Sequence, residues 1–513
     1  MAEGGALRFL QQLRDLERLG VPKDAGTDTS KGFDLGRMRR LVSSLGNPLS
    51  KFPVVHVAGT KGKGSTVAFL SSILRAAGFS VGTYTSPHLR SIHERICVGK
   101  PISTNGLDDL FWGVRESLLK VIEAENHTLT HFEVFTALAF KYFAQESVDI
   151  AVVEAGLGGA RDATNVIDSE GLAASVIVSI GEEHLEALGG SLETVALAKA
   201  GIIKERRPVV LSRQVSPVAE SIIRTQASAR NAPVFSAFGK DVHGFIKSIR
   251  TDESDCFQVC NMRIRCAGED LFLDNCRMRM FGSHQVDNAL TAICAALSLR
   301  VEGWRIPDAA FQTGLEQTNI LGRFQILTHE QVKSLGFTST RVILDGAHTP
   351  GSAAALGTTL KTAFPSRPLI LVTAMALDKD HLKFASAFSD DARPTLVVVT
   401  TADVAGSSVR SATTEALAEA WSKVKPEIAV EISKSVVDAL ATARKAADLD
   451  PGSVVCVTGS LHLVSAVLNL IKKAPQKRDI WVCQDQKGPA KVLDLGVPRT
   501  TALVKLPCEC ERS

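Results

Sequence analysis

Gly59-Thr60-Lys61-Gly62-Lys63-Gly64-Ser65-Thr66 lies directly after the β-branched run Val54-Val55-His56-Val57-Ala58 and directly before a stretch with a helical pattern. Glycines let the backbone approach phosphate oxygens, a helix N-terminus directs N–H groups at them, and Lys63 adds a point charge. The stretch therefore predicts a phosphate-binding loop between a buried strand and a helix. It departs from the common P-loop pattern, because Val57 and Gly64 stand where that pattern has its first glycine and its hydroxyl residue. The alternative, a turn without a ligand, does not explain the two lysines.

The segments around this loop alternate between short apolar runs and helical patterns, which is typical of parallel strands buried on both faces. Before residue 238 the candidate strands are Val54–Ala58, Ser80–Tyr84, Ile150–Glu154, Ser175–Ser179 and Pro208–Leu211. After Arg323 a second series contains Arg341–Asp345, Leu369–Thr373, Thr395–Val399, Ala429–Ile432 and Val454–Thr458. The sequence therefore predicts an α/β protein with two mainly parallel sheets, the second in a smaller, doubly wound, Rossmann-like C-terminal domain.

We place the domain boundary near residues 313–320, where Gly314 and Asn319 interrupt the pattern. The first domain is then 1–315, and it includes an antiparallel hairpin insert at 238–282, because polar and apolar residues alternate there. A helix is predicted after the insert, from His284 to about Leu299. The second domain is 320–473, and residues 474–513 form a tail whose sequence predicts no structure.

The composition is that of a globular protein, since 45% of the 513 residues are hydrophobic and 22% are charged. A net charge of +3 without a dense basic patch favours neither a nucleic acid nor an anionic membrane as partner. No apolar run reaches the roughly 18 residues that span a bilayer, and the N-terminus lacks the apolar core of a signal peptide. We therefore expect a soluble intracellular protein, cytoplasmic as the sequence stands.

The ten cysteines are scattered along the chain, which is typical of reduced thiols in an intracellular compartment. Cys256, Cys260, Cys266 and Cys276 come closest to a metal cluster. They lack the paired short spacing of zinc ligands, and this favours separate cysteines in a hairpin over a zinc site.

Further motifs follow the glycine-rich loop in order, and together they resemble a known family. They are Thr85–Leu89, Glu154–Gly159 with Asp162–Asn165, Gly181–His184 with Leu188-Gly189, Lys199–Lys204, His284-Gln285 with Asn288-Ala289, Gly322-Arg323 and Asp345–His348. The set is similar to that of the folate branch of the Mur-type ATP-dependent amide ligases, dihydrofolate synthase and folylpolyglutamate synthase, over about residues 32–465. The resemblance implies a P-loop-type ATPase domain like the Mur ligase central domain, followed by a glutamate-ligase-type α/β domain.

The resemblance also implies sites for ATP and for two Mg²⁺ ions. The implied ATP-binding residues are Thr60, Lys61, Gly62, Lys63, Gly64, Ser65, Asn288, Arg323 and Asp345. Ser86 and Glu154 would hold one magnesium, and Glu154 with His184 would hold the second. A hydroxyl and a carboxylate, each at the carboxyl end of a predicted strand, would meet in the crevice of such a sheet and are oxygen ligands of the kind that Mg²⁺ prefers.

The implied catalytic residues are Lys63, Lys199 and His348, with Lys199 carried as a carbamate near the second metal. Without the motif, a lysine in a helical stretch would be interpreted as a solvated charge. The chain departs from the family at Thr349, where Asn is usual, and at Glu183, Ala198 and Ala160-Arg161, where Asp, Glu and, in bacterial members, Arg-Leu are usual. We expect these neighbours of the ligands to alter the fine geometry of the site rather than its activity.

Three segments resemble those that line the dihydropteroate site: Gly32-Phe33-Asp34-Leu35, Thr130-His131-Phe132-Glu133 and Arg161-Asp162-Ala163. Asp34 or Asp162 could accept hydrogen bonds from a pterin ring, and Phe132 could stack on it. The simpler interpretations are a helix N-cap, a turn acid and a core aromatic, respectively. Ala163 stands where eukaryotic folylpolyglutamate synthases usually have Cys, so the resemblance favours dihydrofolate synthase and is closest to the plant enzymes.

The implied reaction joins L-glutamate to dihydropteroate through an acyl phosphate, with release of ADP and phosphate. Addition of glutamates to a reduced folate such as tetrahydrofolate is the alternative, alone or as a second activity. A cell-wall Mur ligase should not carry all three substrate segments, and a non-catalytic nucleotide-binding protein should have lost the metal ligands. We expect a monomer, and the likeness to plant enzymes adds the mitochondrial matrix as a possible compartment.

Overall fold

The computed structural model describes residues 4–27, 33–252, 255–403 and 410–471. The α-helices are α1 (Gly5–Leu10), α2 (Leu16–Leu19), α3 (Leu35–Ser44), α4 (Lys63–Ala76), α5 (Thr104–Ala124), α6 (His131–Gln145), α7 (Leu192–Ala200), α8 (Pro217–Ser228), α9 (Ser283–Val301), α10 (Asp308–Gln317), α11 (His329–Ser334), α12 (Pro350–Ala363), α13 (His381–Ser389), α14 (Thr414–Val424), α15 (Val436–Leu449) and α16 (Leu461–Leu470). The strands are β1 (Val54–Ala58), β2 (Val81–Tyr84), β3 (Ile96–Val98), β4 (Lys100–Pro101), β5 (Ile150–Glu154), β6 (Leu172–Ile177), β7 (Val209–Leu211), β8 (Val234–Ser236), β9 (Val242–Thr251), β10 (Cys256–Cys266), β11 (Glu269–Met278), β12 (Gln325–Ile326), β13 (Arg341–Leu344), β14 (Leu369–Thr373), β15 (Pro394–Val399), β16 (Ala429–Ile432) and β17 (Val454–Thr458).

The larger sheet contains eight strands in the order β4-β3-β2-β5-β1-β6-β7-β8. The strands from β2 to β8 in this order are parallel, and β3 and β4 add antiparallel pairs at one edge. Every residue of β1 is buried, as its run of β-branched residues predicts for a strand covered on both faces. The carboxyl end of β1 therefore lies between those of β5 and β6.

Helices cover both faces of this sheet, which explains why its strands are continuous apolar runs. α4, α9 and α10 pack on one face, and α1, α3, α5 and α6 pack on the other. The helix predicted from His284 to Leu299 is α9, which begins one residue earlier and ends two residues later. The predicted mixed α/β class with mainly parallel sheets is confirmed.

β9, β10 and β11 form a separate antiparallel sheet that packs on α9. The alternation at 238–282 predicts a hairpin, and the structure has three strands there. Cys260 and Cys276 are partners on adjacent strands and are both buried. Among the described residues, no group of three or more His, Cys, Asp or Glu side chains is arranged to hold a metal ion by itself.

The smaller sheet contains six strands in the order β12-β13-β17-β14-β15-β16. All pairs are parallel except that of β12 with β13. α12, α13 and α14 pack on one face, and α11, α15 and α16 pack on the other, so this sheet is doubly wound. The polar loops after its strands meet the carboxyl edge of the larger sheet.

The structure also contains strands that the pattern did not predict, namely β3, β4, β8 and β12. Each has two or three residues, too few to show a period in the sequence. The strand predicted at Ser175–Ser179 begins earlier, at Leu172, and ends at Ile177.

We propose the domain division 1–315, with its insert at 238–282, and 320–473, because each part encloses one of the two large sheets. Residues 472–513, with the tail at 474–513, lie outside the described residues. No helix in the described ranges combines the length and the apolar character needed to cross a membrane.

Candidate active site

A cavity of about 1580 Å³ lies between the carboxyl edge of the larger sheet and the loops of the smaller sheet. The carboxyl ends of β5, β1 and β6 meet there, which is the usual location of ligand sites in open parallel sheets. Pockets for one small ligand are typically about 300–1,000 Å³. This cavity therefore has room for a nucleotide and a second substrate together.

The structure brings almost all of the predicted site residues to this one cavity. Those that line it are Thr60, Lys61, Gly62, Lys63, Gly64, Ser65, Ser86, Glu154, His184, Asn288, Arg323, Asp345, His348, Phe33, Asp34, Leu35, Thr130, His131, Phe132, Glu133, Arg161, Asp162 and Ala163. Lys199 is buried behind the glycine-rich loop. Gly32 lies outside the described residues.

The glycine-rich loop connects β1 to α4, as the sequence predicts. Gly62 is the N-cap residue of α4 with a φ of 91°, a conformation that strains residues with a side chain. A Cβ at Gly62 would lie 2.2 Å from Asn288 Oδ1, so α9 also requires a glycine there. Lys63 Nζ donates to the carbonyl oxygens of Gly59 at 3.1 Å and Thr60 at 3.4 Å. The loop thus presents the start of a helix and a cation to the cavity.

Glu154 is a buried carboxylate at the end of β5, beside the loop. It accepts a hydrogen bond from Ser86 N–H at 3.2 Å, and Lys63 Nζ lies 3.9 Å from its Oε1. Burial raises the pKa of Glu154, and the charge of Lys63 only partly opposes this. To stay ionised, the buried Glu154 carboxylate therefore needs more positive charge nearby than the neighbouring side chains supply.

His184 follows β6 and lines the same part of the cavity. Burial lowers the pKa of His184 to about 4, so its imidazole is neutral at physiological pH. A neutral imidazole has a lone pair for a metal or a proton.

Lys199 on α7 donates from Nζ to the Gly59 carbonyl oxygen at 2.8 Å. Burial, with the neighbouring charge of Lys63, lowers the pKa of Lys199 to about 7. The neutral amine of Lys199 is therefore accessible near physiological pH. A neutral amine is the form that can react with carbon dioxide.

The smaller domain contributes a turn after β13, residues 345–348. Asp345 accepts hydrogen bonds from Phe324 N–H at 2.7 Å and Ala347 N–H at 2.8 Å, so part of its role is to hold this turn. His348 Nδ1 lies 2.8 Å from the Gly346 carbonyl oxygen. A carbonyl only accepts, so Nδ1 carries the proton and Nε2 has the free lone pair.

Lys61 joins the glycine-rich loop to the smaller domain. Its Nζ donates to Thr349 Oγ1 at 2.7 Å and lies 3.5 Å from Glu183 Oε1. Thr349 is also the N-cap residue of α12. Two of the departures from the family pattern, Thr349 and Glu183, are therefore partners of one lysine.

Phe132 and Asp162 converge over Gly156. A Cβ at Gly156 would lie 2.6 Å from Phe132 Cζ and 3.2 Å from Asp162 Oδ2. Glycine at this position leaves room for the ring and the carboxylate to lie side by side. The pair combines a flat apolar surface with a hydrogen-bond acceptor.

Other members of the three segments have structural roles that the sequence could have indicated. Asp34 is exposed and is the N-cap residue of α3, as its simpler interpretation states. Thr130 and Glu133 form a capping box at the start of α6, and Glu133 also pairs with Arg37 at 2.6 Å. Asp162 caps the short 3-10 turn 163–166 and still lines the cavity.

One end of the cavity is charged and was not predicted. Its residues are Asp15, Glu17, His88, Arg410 and His462, from four separate segments. Behind them the buried Arg95 donates to Glu17 Oε1 at 2.8 Å and to His88 Nδ1 at 3.0 Å. No spacing in the sequence shows that these segments meet.

Comparison with known proteins identifies the class first. Residues 57–296 match the Mur ligase middle domain, and residues 322–461 match the glutamate ligase domain of Mur ligases. Together with the two mainly parallel sheets and the glycine-rich loop after β1, these matches define a Mur-type, ATP-dependent ligase.

The relatives narrow this class to one family. A dihydrofolate synthase/folylpolyglutamate synthase of Bacillus subtilis (strain 168) is 36% identical over 68% of this chain and 76% of its own length. The folylpolyglutamate synthase of Mycobacterium tuberculosis complexed with ADP aligns with a TM-score of 0.75, 27% identity and coverage of 92% of this chain and 98% of its own. E. coli FolC in complex with DHPP and ADP aligns with a TM-score of 0.71 and 28% identity, over 92% of this chain and 98% of its own. The chain belongs to the dihydrofolate synthase/folylpolyglutamate synthase family.

Proposed function

We propose that this chain is a dihydrofolate synthase, which uses ATP to join the amino group of L-glutamate to the carboxylate of dihydropteroate. The observation that carries the proposal is the pairing of Phe132 with Asp162 over Gly156, in the cavity that also contains the glycine-rich loop. A pterin is flat and rich in N–H donors, so it suits an aromatic face beside a carboxylate. Ala163 lines the same cavity. By the family resemblance, Ala rather than Cys at this position favours dihydropteroate over a folate as the substrate.

The residues around Glu154 fit magnesium. The buried carboxylate and the Ser86 hydroxyl are hard oxygen ligands, and the raised pKa of Glu154 indicates a need for cationic charge. The neutral His184 would complete a second site with Glu154. Bound magnesium supplies charge neutralisation for phosphoryl transfer. Phosphate and water oxygens would provide the remaining ligands, since the protein offers few.

The residues of this protein would act in two successive steps of the ligation. Lys63 and the N-terminal N–H groups of α4 bind the phosphates, and a dihydropteroate carboxylate oxygen attacks the γ-phosphorus, which releases ADP and forms an acyl phosphate. The amine of L-glutamate then attacks the acyl carbon, loses a proton, and phosphate leaves. Nε2 of His348 has the lone pair that can take this proton. Contacts between the domains, such as that of Lys61 with Thr349, exclude water that would hydrolyse the acyl phosphate.

The charged end of the cavity suits the amino acid. L-glutamate carries two carboxylates and one ammonium group, and this end offers Arg410 together with the acids Asp15 and Glu17. We place L-glutamate there. We also propose that Lys199 carries a carbamate, because its lowered pKa makes the reactive neutral amine available. Mass spectrometry of intact protein trapped by carbamate methylation tests this, with Lys199→Arg as the control.

An end-point assay tests the proposed function. Purified protein receives ATP, Mg²⁺ and L-glutamate with either dihydropteroate or tetrahydrofolate, and the products are resolved by mass. We expect dihydrofolate from the first tube. Product only from tetrahydrofolate would show a folylpolyglutamate synthase instead, and product from both would show two activities.

A further inference from the structure

His56 is a histidine in the middle of β1, an otherwise apolar strand, and no step of the proposed reaction uses it. The residue is fully buried, with Val55 and Val57 on either side. Burial, together with the charge of Lys204, lowers the pKa of His56 to about 3, so the side chain is neutral. A neutral histidine presents one N–H donor and one lone pair.

A chain of hydrogen bonds connects His56 to the cavity. His56 Nε2 lies 2.8 Å from Thr164 Oγ1, and Thr164 Oγ1 donates to Asp162 Oδ1 at 2.5 Å. His56 and Thr164 have no solvent exposure, and Asp162 has only 3%. Of these three residues, Asp162 alone lines the cavity.

The Asp162 carboxylate determines the direction of these hydrogen bonds. An ionised Asp162 accepts only, so the one proton of the Thr164 hydroxyl points to it, and Thr164 Oγ1 then accepts from His56 Nε2–H. His56 Nδ1 is therefore a bare lone pair, and it has no hydrogen-bond partner in the described part of the chain. If Asp162 were protonated on Oδ1 and donated to Thr164 Oγ1, the direction of these hydrogen bonds would reverse, and His56 Nδ1 would carry a buried proton without an acceptor. Burial raises the pKa of Asp162, and the hydrogen bonds from the Thr164 hydroxyl and from backbone N–H groups oppose this shift. An unpaired buried N–H is costly, so the hydrogen bonds through Thr164 to His56 also favour the ionised carboxylate.

Backbone donors complete the arrangement. Leu157 N–H donates to Asp162 Oδ2 at 2.7 Å, and Thr164 N–H donates to Oδ1 at 3.0 Å. The other titratable groups that act on this chain are Tyr84, Lys199 and Lys204, and each has a different hydrogen-bond partner. Among the described residues, Thr164 is thus the one side chain that donates a hydrogen bond to Asp162.

We propose that His56 and Thr164 are positioning residues for the pterin: they fix the Asp162 carboxylate beside the Phe132 ring as an oriented, ionised acceptor. The proposal rests on the proposed function, because it assigns Asp162 to the pterin. It also means that β1 supports both substrates, since its carboxyl end begins the phosphate loop and its middle holds the pterin acceptor.

Matched substitutions at both positions test the proposal. His56→Leu and Thr164→Val remove the donors, whereas His56→Gln and Thr164→Ser keep an N–H and a hydroxyl. The dissociation constants of dihydropteroate, tetrahydrofolate and ADP are measured by calorimetry, with a melting temperature for each variant. Thr164→Val removes the hydrogen bond to the carboxylate and His56→Leu removes the bond that orients the Thr164 hydroxyl, so we expect each to weaken dihydropteroate binding about tenfold. ADP binding should stay within about twofold, and the conservative variants should bind like the wild type.

The double variant His56→Leu/Thr164→Val supplies a further readout. Its effect should be close to that of Thr164→Val alone, because both substitutions break one chain. Equal weakening of ADP and dihydropteroate, or no rescue by Thr164→Ser, would overturn the proposal and leave a purely structural role. If one His56 variant fails to fold, the Thr164 pair decides. Wild-type binding of tetrahydrofolate alone would overturn the proposed function, and the same variants would then be judged on that ligand; binding of neither pteridine would overturn both.

Discussion

At the scale of single residues, Lys63 is the residue whose charge the proposed phosphoryl transfer depends on most. It lies between the glycine-rich loop and the buried carboxylate of Glu154, with 17% of its side chain exposed. Its backbone contacts fix the ammonium group at the start of α4. A group held in this way needs no reorganisation as charge develops on a phosphate.

Lys63→Met should lower kcat by about 10²–10³-fold, the usual loss when one preorganised donor is removed. The rate of ADP release with saturating substrates checks this. Lys51→Met, at an exposed position outside the cavity, is the control and should keep the wild-type rate. A full rate in Lys63→Met would contradict the phosphate role of the loop.

Phe132 tests the pterin assignment. Phe132→Leu keeps apolar volume but loses the aromatic face, so we expect KM for dihydropteroate to rise about fivefold, in line with ~1 kcal/mol for an aromatic contact. KM for ATP should not change. Phe135→Leu is a matched control on the same helix, because Phe135 is fully buried and does not line the cavity. It should lower the free energy of unfolding by about 1–2 kcal/mol without a change in either KM.

At the scale of elements, the turn from β1 into α4 depends on Gly62. Gly62→Ala would place a methyl group in contact with Asn288 and in a strained backbone conformation. We therefore expect lower stability and loss of ADP binding, measured by calorimetry and thermal unfolding. Gly113→Ala, in the middle of α5 with open space around it, should instead stabilise the protein by about 0.5–1 kcal/mol. Similar effects of the two substitutions would refute this account of the turn.

The short helix α2 is held to the rest of the larger domain by an ion pair. Glu17 Oε2 lies 2.5 Å from Arg95, which is buried, while 42% of the Glu17 side chain is exposed. Burial alone would raise the pKa of Glu17, but the Arg95 guanidinium outweighs it and the pKa is lowered. A lowered folded-state pKa contributes stability above the unfolded-state pKa of 4.5, and this stability is lost as the pH falls below that value.

Glu17→Gln should therefore cost about 2 kcal/mol at pH 7, less than a fully buried pair because the side chain is partly exposed. Its stability should also depend less on pH below about 4.5 than that of the wild type. Urea unfolding from pH 3 to pH 7 measures both. Glu419→Gln removes an exposed pair with Lys423 and should leave the profile as it is. Parallel pH profiles for Glu17→Gln and the wild type would show that the pair does not stabilise the fold.

At the scale of the whole molecule, the sequence predicts the sheets well because long parallel strands carry their own signal. β1, β5, β14, β16 and β17 have the predicted bounds, since each is a short run with β-branched residues between helical segments. The short strands β3, β4, β8 and β12 have too few residues to show a period. The partners of Arg95 could not be found, because Glu17 and His88 meet it only after separate segments pack together.

The site shows the same division. Residues within a local motif, such as Gly62 and Lys63, are predictable because their chemistry needs that spacing. His56 is visible in the sequence as a polar residue in an apolar strand, but its partner Thr164 is 108 residues away. Contacts between domains, such as that of Lys61 with Thr349, depend on tertiary packing and leave no local trace.

The central claim is that one cavity transfers a phosphoryl group from ATP to the carboxylate of dihydropteroate before glutamate attacks. The most direct test is the fate of isotope from dihydropteroate labelled with ¹⁸O in both carboxylate oxygens, with ATP, Mg²⁺ and L-glutamate. We predict that each phosphate released carries one ¹⁸O atom and that dihydrofolate retains the other. Label in AMP, or unlabelled phosphate released with dihydrofolate, would contradict the acyl phosphate and the account of the site built on it.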